Sequence, residues 1–180
     1  MLYHNPSLKK LIKEPKETFS RLCGGRNGAK SYFSDGHWLL SIQSDALPAA
    51  LAGFEPRYDE PDGYRLQAGD RQTPGPDFDA VIPKTPNNND AITVTQWTVE
   101  LARYPLARLF KGPDGRKIFA DNTLWAPLVK AFNGRSMELT QDGEGSPICA
   151  WLDNTGKSEL AFLLMPLRVS EAEIEYPIAS

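Results

Sequence analysis

Apolar side chains recur every three to four positions between Ser7 and Leu22 (Leu8, Leu11, Ile12, Phe19, Leu22), which predicts a helix that Pro15 breaks or kinks. Gly24, Gly25 and Gly28 then punctuate a turn, and Ala29 to Ser44 reads as strand, turn and strand, with Tyr32, Phe33, Trp38, Leu39, Leu40 and Ile42 as candidate core. From Phe54 to Pro76 the chain is rich in Pro, Gly, Asp and Arg, so a long loop carrying one short strand, Tyr64 to Gln67, is expected there. Polar residues Lys84 to Asp90 separate the short Phe78 to Ile82 segment from Ala91 to Val99, whose β-branched and aromatic residues alternate with polar ones as in a strand. Leu101 to Phe110 reads as helical, limited by Pro105, and Lys111 to Gly115 has hairpin-turn chemistry between Leu109–Phe110 and Ile118–Phe119.

Asp121 to Phe132 is the second helix: Asp121 or Asn122 caps it, Leu124, Trp125, Leu128, Val129 and Phe132 form one apolar face, and Pro127 is expected in its first turns. Three short strands follow, Ser136 to Gln141, Pro147 to Leu152 and Glu159 to Met165, joined by turns at Asp142–Gly145 and Asp153–Lys157. Helices followed by strand meanders predict an α+β fold, with helices packed on antiparallel sheets. The polar stretch before Pro76 suggests a division into 1–75 and 76–169, with an acidic tail over 170–180.

Composition narrows this only a little. Apolar residues at 41% and charged residues at 24% are ordinary globular values, which suggests neither disorder nor a fibrous repeat. No apolar run is long enough for a membrane helix and the first ten residues lack a signal-peptide core, so a cytoplasmic protein is expected. Cys23 and Cys149 stand far apart outside any CxxC spacing, which predicts buried thiols and no zinc site. Charge is uneven: Lys9, Lys10, Lys13, Lys16, Arg21, Arg26 and Lys30 face only Glu14 and Glu17 in the first thirty residues. Six of these, Lys9, Lys10, Lys13, Lys16, Arg21 and Arg26, are candidate DNA contacts, although a solvated basic surface has the same signature.

Catalytic constellations are sparse. His4 and His37 are the only histidines, and Asp35/His37 has no nucleophile elbow beside it, so Asp35-Gly36 is expected to make a turn within which His37 bonds. Gly24 to Gly28 lacks the Lys-Ser/Thr of a phosphate loop, and Asp59, Glu60, Asp62, Asp142 and Glu144 sit among loop formers that predict solvated turns. Trp38, Trp97, Trp125 and Trp151 fall at apolar positions of expected elements, which favours core packing over base stacking. No enzyme, no cofactor and no metal site is expected.

Three separated segments carry a resemblance. Ser34-Asp35-Gly36-His37-Trp38-Leu39 is similar to T-D-G-H-R-L, Gly75-Pro76-Asp77-Phe78-Asp79-Ala80-Val81-Ile82-Pro83 to aromatic-P-D-aromatic-x-x-V-I/L-P, and Leu163-Leu164-Met165-Pro166-Leu167-Arg168-Val169 to V-V-M-P-M-R-L. All three motifs belong, in that order, to the β subunit of bacterial DNA polymerase III, the sliding clamp. The resemblance implies a DNA-clamp-like fold, abbreviated relative to the full three-domain clamp, and a role in DNA replication or repair. It also implies an apolar pocket for clamp-binding-motif peptides, lined by Ser34, Gly36, His37, Leu39, Pro76, Val81, Leu163, Met165, Pro166, Leu167 and Arg168. Duplex DNA and an oligomer are further partners it suggests. The chain departs from the pattern in being about half as long, in having Trp38 and Ala80 where the clamp has Arg, and in continuing for eleven residues past Val169. A nucleic-acid-binding module and an interaction protein that keeps only the fold are the alternatives.

Overall fold

Two α-helices and eleven strands are formed among the residues described in this computed structural model, 3–12, 22–67, 70–154 and 156–169. Their order contains one unit twice. A helix is followed by a three-stranded antiparallel meander in α1 (Asn5–Ile12), β1 (Cys23–Asn27), β2 (Lys30–Ser34) and β3 (Trp38–Gln43). The same succession recurs in α2 (Asn122–Ala131), β9 (Met137–Thr140), β10 (Ile148–Asn154) and β11 (Lys157–Leu164). The last strands of the two meanders, β3 and β11, pair antiparallel, so the run β1-β2-β3-β11-β10-β9 has the same plan read from either end. On the outer side of β1, β4 (Tyr64–Gln67) and β5 (Asp70–Gln72) extend this sheet to eight strands.

Alternation along the strands sorts the side chains into two layers. Phe33, Leu40, Ile42, Ile148, Ala150, Phe162 and Leu164 point to one face, where Leu8 and Leu11 of α1 and Trp125, Leu128 and Ala131 of α2 cover them. The helices meet each other through Tyr3 against Phe132, ring centroids 5.6 Å apart, and through His4 N donating to Ala131 O at 2.8 Å. On the opposite face Tyr32, Leu39, Phe78, Cys149, Trp151, Leu160 and Leu163 form a second cluster. A smaller sheet of β6 (Thr93–Leu101), β7 (Tyr104–Lys111) and β8 (Lys117–Asp121) sends Phe110, Ile118 and Ala120 into the main core. Its other face carries Val99, Leu101, Ala107, Leu109 and Phe119. Trp38, Trp125 and Trp151 are buried and Trp97 is half-buried against that last cluster, in keeping with packing roles.

Several expectations need correction. Leu101 to Phe110 is not helical: the stretch is a hairpin turn and β7, because Ala107, Leu109 and Phe110 are buried by neighbouring strands, a tertiary demand that overrides helical spacing. Pro105 is tolerated because the β6–β7 pairing shifts register beside it, where no ladder hydrogen bond is required of it. Gly24 and Gly25 belong to strand β1 and not to a turn; only Gly28, with φ of 56°, turns the chain. β5 was not expected at all. Pro127 lies in the middle of α2 and not in its first turns, while the Asp121 cap forms as expected, its carboxylate accepting from Thr123 N at 2.8 Å. The first helix starts at Asn5, and the expected continuation through residues 13–21, with Pro15, lies outside the described residues, as does the acidic tail 170–180. Strands from both sides of residue 75 share the large sheet.

Candidate functional site

The large sheet builds a cleft from a single register row. Starting at the outer edge, cross-strand partners run Gln72, Arg65, Cys23, Ser34, Leu39 and Leu163, through β5, β4, β1, β2, β3 and β11. Because directly opposed residues point to the same side of a sheet, all six face one way. All six line a cavity of about 760 Å3. Its floor therefore grades from a guanidinium and an amide, through a thiol and a hydroxyl, to two leucines.

One wall is the turn between β2 and β3. The Asp35 carboxylate accepts from His37 N at 2.8 Å and Trp38 N at 3.1 Å, and Ser34 Oγ donates to Trp38 O at 2.7 Å and accepts from Gly36 N at 3.1 Å. Gly36 supplies the positive φ of 92° that this tight turn requires. Asp35 is thus buried and spent on backbone amides, and His37 stands exposed at the rim, as the turn reading expects. Met165 N donates to His37 O at 2.8 Å, which fixes the end of β11 against this turn.

The other wall is the loop from Pro76 to Val81. Asp77 Oδ1 accepts from Asp79 N and Ala80 N, and Asp79 Oδ1 accepts from Asn27 Nδ2 at 2.5 Å, which ties the loop to β1. Phe78 stacks on Tyr32 with centroids 5.8 Å apart and lies directly over Gly25, where a Cβ would come within 2.5 Å of its ring. Gly25 is glycine because the aromatic needs that space. Val81 and Met165, 58% and 41% exposed, are large apolar side chains left open to solvent at the mouth.

Of the eleven residues expected around a pocket, Ser34, Gly36, His37, Leu39, Pro76, Val81, Leu163 and Met165 come together on this cavity. Pro166, Leu167 and Arg168 do not line it. After Met165 the chain crosses to the small sheet, where Leu167 N donates to Phe119 O at 2.7 Å and Leu167 and Val169 pack on that sheet's apolar face, while Arg168 is exposed. Cys23, Arg65 and Gln72 were not expected at the cleft, because β1 and β5 carry little strand signal and Arg65 on β4 reaches the cleft only by pairing with β1; Phe78, inside the second motif, and Pro147, outside all three, line it as well. Cys23 is half-buried and lines the cleft, against the expectation of a buried thiol, and burial pushes its pKa up. Burial also raises the Tyr32 hydroxyl, with the nearby Asp79 charge adding to the effect.

The expected DNA contacts scatter. Lys9 and Lys10 are exposed in the last turn of α1, Arg26 in β1 is ion-paired to Glu55 at 2.5 Å, and Lys13, Lys16 and Arg21 lie outside the described residues. Glu60, expected in a solvated turn, is instead buried against Arg71 at 2.6 Å. Among the described residues no group of three or more His, Cys, Asp or Glu side chains has metal-binding geometry, and no helix is long and apolar enough to cross a membrane. No family model matches the chain, and comparison with curated proteins and with solved structures gives no match either.

Proposed function

We propose that the chain is a shortened clamp-like binding protein, and not an enzyme, whose cleft receives a short peptide with large apolar anchors, of the type that docks on bacterial sliding clamps in replication and repair. One observation carries the reading: three segments far apart in sequence, picked out by their resemblance to clamp motifs, surround a single apolar cavity. The cavity's volume lies within the range of clefts that enclose small ligands or a few side chains. Leu39, Leu163 and the adaptable Met165 supply apolar contact for Leu or Phe anchors, and the exposed His37 offers a hydrogen-bonding group at the rim. The helices packed on antiparallel sheets agree with a clamp-like fold, which is the finer reading proposed here.

Calorimetric titration with a Q-L-x-L-F-type peptide tests the proposal. Saturable binding is expected, weakened more than tenfold by Met165→Glu, which sets a charge in the apolar mouth, and measurably by His37→Ala. Absence of heat at high peptide concentration, or binding indifferent to Met165→Glu, contradicts it. The alternative of a nucleic-acid-binding module has the exposure of Lys9 and Lys10 in its favour, and it requires an affinity for duplex DNA that falls steeply with salt.

A further inference from the structure

We infer that the cleft selects, by charge, an extended peptide bearing a carboxylate about four residues from its apolar anchors, with Arg65 as the residue that receives the carboxylate. This rests on the peptide-pocket reading above and adds the specificity that reading leaves open.

The argument starts from the register row. Leu39 and Leu163 end the cleft's floor on β3 and β11, and Arg65 and Gln72 end it on β4 and β5. From β3 to β4 the sheet steps through β2 and β1, three strand spacings, or roughly 14 Å. An extended peptide rises about 3.3 Å per residue, so anchors seated over Leu39 place the side chain some four residues away over Arg65. A peptide lying across the strands follows the floor's gradient from apolar to polar.

Charge complementarity is one-sided at that end. Glu55 is paired with Arg26 and Glu60 with Arg71, and Asp35, the one carboxylate among the cavity-lining residues, is engaged by the amides of His37 and Trp38. Among the described residues, none forms an ion pair with Arg65, whose side chain is exposed at the polar end of the cleft's floor. Its cross-strand neighbours, Cys23 and Gln72, carry no formal negative charge at neutral pH. An acidic side chain at the right spacing therefore meets an open guanidinium flanked by an amide donor, a geometry suited to a forked hydrogen bond.

A peptide series tests the assignment on the full chain. Each peptide carries the same Q-L-x-L-F-type anchor and a glutamate zero, two, four or six residues beyond it, in either direction, with glutamine counterparts, and is read by fluorescence anisotropy at low salt. At a spacing of four in one direction, glutamate is expected to bind roughly fivefold tighter than glutamine, the scale of an exposed ion pair. Arg65→Gln is expected to abolish that difference between glutamate and glutamine peptides, and Arg65→Glu to make a lysine peptide the preferred one. A glutamate effect that is equal at every spacing, or that survives Arg65→Gln, overturns the assignment of Arg65 alone. Failure of every peptide in the series to bind overturns the peptide-pocket reading, and this inference with it.

Discussion

Cys149 sits in the apolar layer beneath the cleft, and burial pushes its thiol up to about 11 from an ordinary 9.0. The unfolded chain gives up this proton near pH 9, whereas the folded chain holds it until about pH 11. Unfolding therefore releases a proton within that window, so the contribution to stability is complete below about pH 9 and is lost as the pH climbs toward 11. Burial raises the Tyr64 hydroxyl as well, which carries the loss further into the alkaline range. Urea midpoints measured across pH 8 to about 11 are expected to fall, and to fall less steeply in Cys149→Ala; identical slopes in the two proteins contradict this account. Gly25 illustrates a different residue-scale constraint. Its missing Cβ is what lets Phe78 settle over the sheet and close one side of the cleft.

Among the elements, β4 and β5 form the polar end of the cleft's floor, and Arg71 holds them in place. Its guanidinium lies 2.6 Å from Glu60, donates to Glu55 O and Gly53 O at 3.2 Å each, and rests 4.0 Å over the Tyr64 ring. Tyr64 in turn donates its hydroxyl hydrogen to Phe54 O. Arg71→Ala strands a buried Glu60 and is expected to cost about 3 kcal/mol in urea denaturation. Arg71→Lys keeps the charge but loses the fork, so an intermediate cost is expected. Equal stability of Arg71→Ala and the parent protein contradicts a bracing role.

The sequence makes some of these elements legible and hides others, for physical reasons. β2, β3, β9, β10 and β11 announce themselves through short stretches of apolar and aromatic residues between turn formers, and α2 through its Asp121 cap and apolar face. β7 misleads because Leu-Ala-Arg-Tyr-Pro-Leu-Ala-Arg-Leu-Phe satisfies helical spacing as well as strand burial, and only its partners β6 and β8 decide between them. β1 is hidden because Cys-Gly-Gly-Arg-Asn has almost no strand propensity; it is a strand because β2 and β4 pair with it on both sides and aromatic rings cover its glycines. Arg65 and Gln72 could not be read as site residues without that pairing.

At the scale of the whole molecule, the cleft is a consequence of how two helix-and-meander units join. The antiparallel pairing of β3 with β11 brings the His37 turn beside Met165, and the loop at Phe78 folds back over β1 to meet them. Local periodicity contains nothing of these meetings, since β3 and β11 lie more than a hundred residues apart in the chain and the Phe78 loop lies far from β1. Short motifs quoted for their resemblance did point to the segments that meet, but not to where the chain goes after Met165, because Leu167 is drawn away by the apolar face of the small sheet.

Methyl chemical-shift mapping of the full chain during titration with an anchor peptide tests the central claim most directly. Signals of Leu39, Val81, Leu163 and Met165 are expected to move together and saturate, with Val94 and Leu106 of the small sheet unchanged. Shifts confined to the small sheet, or no shifts at saturating peptide, would contradict it.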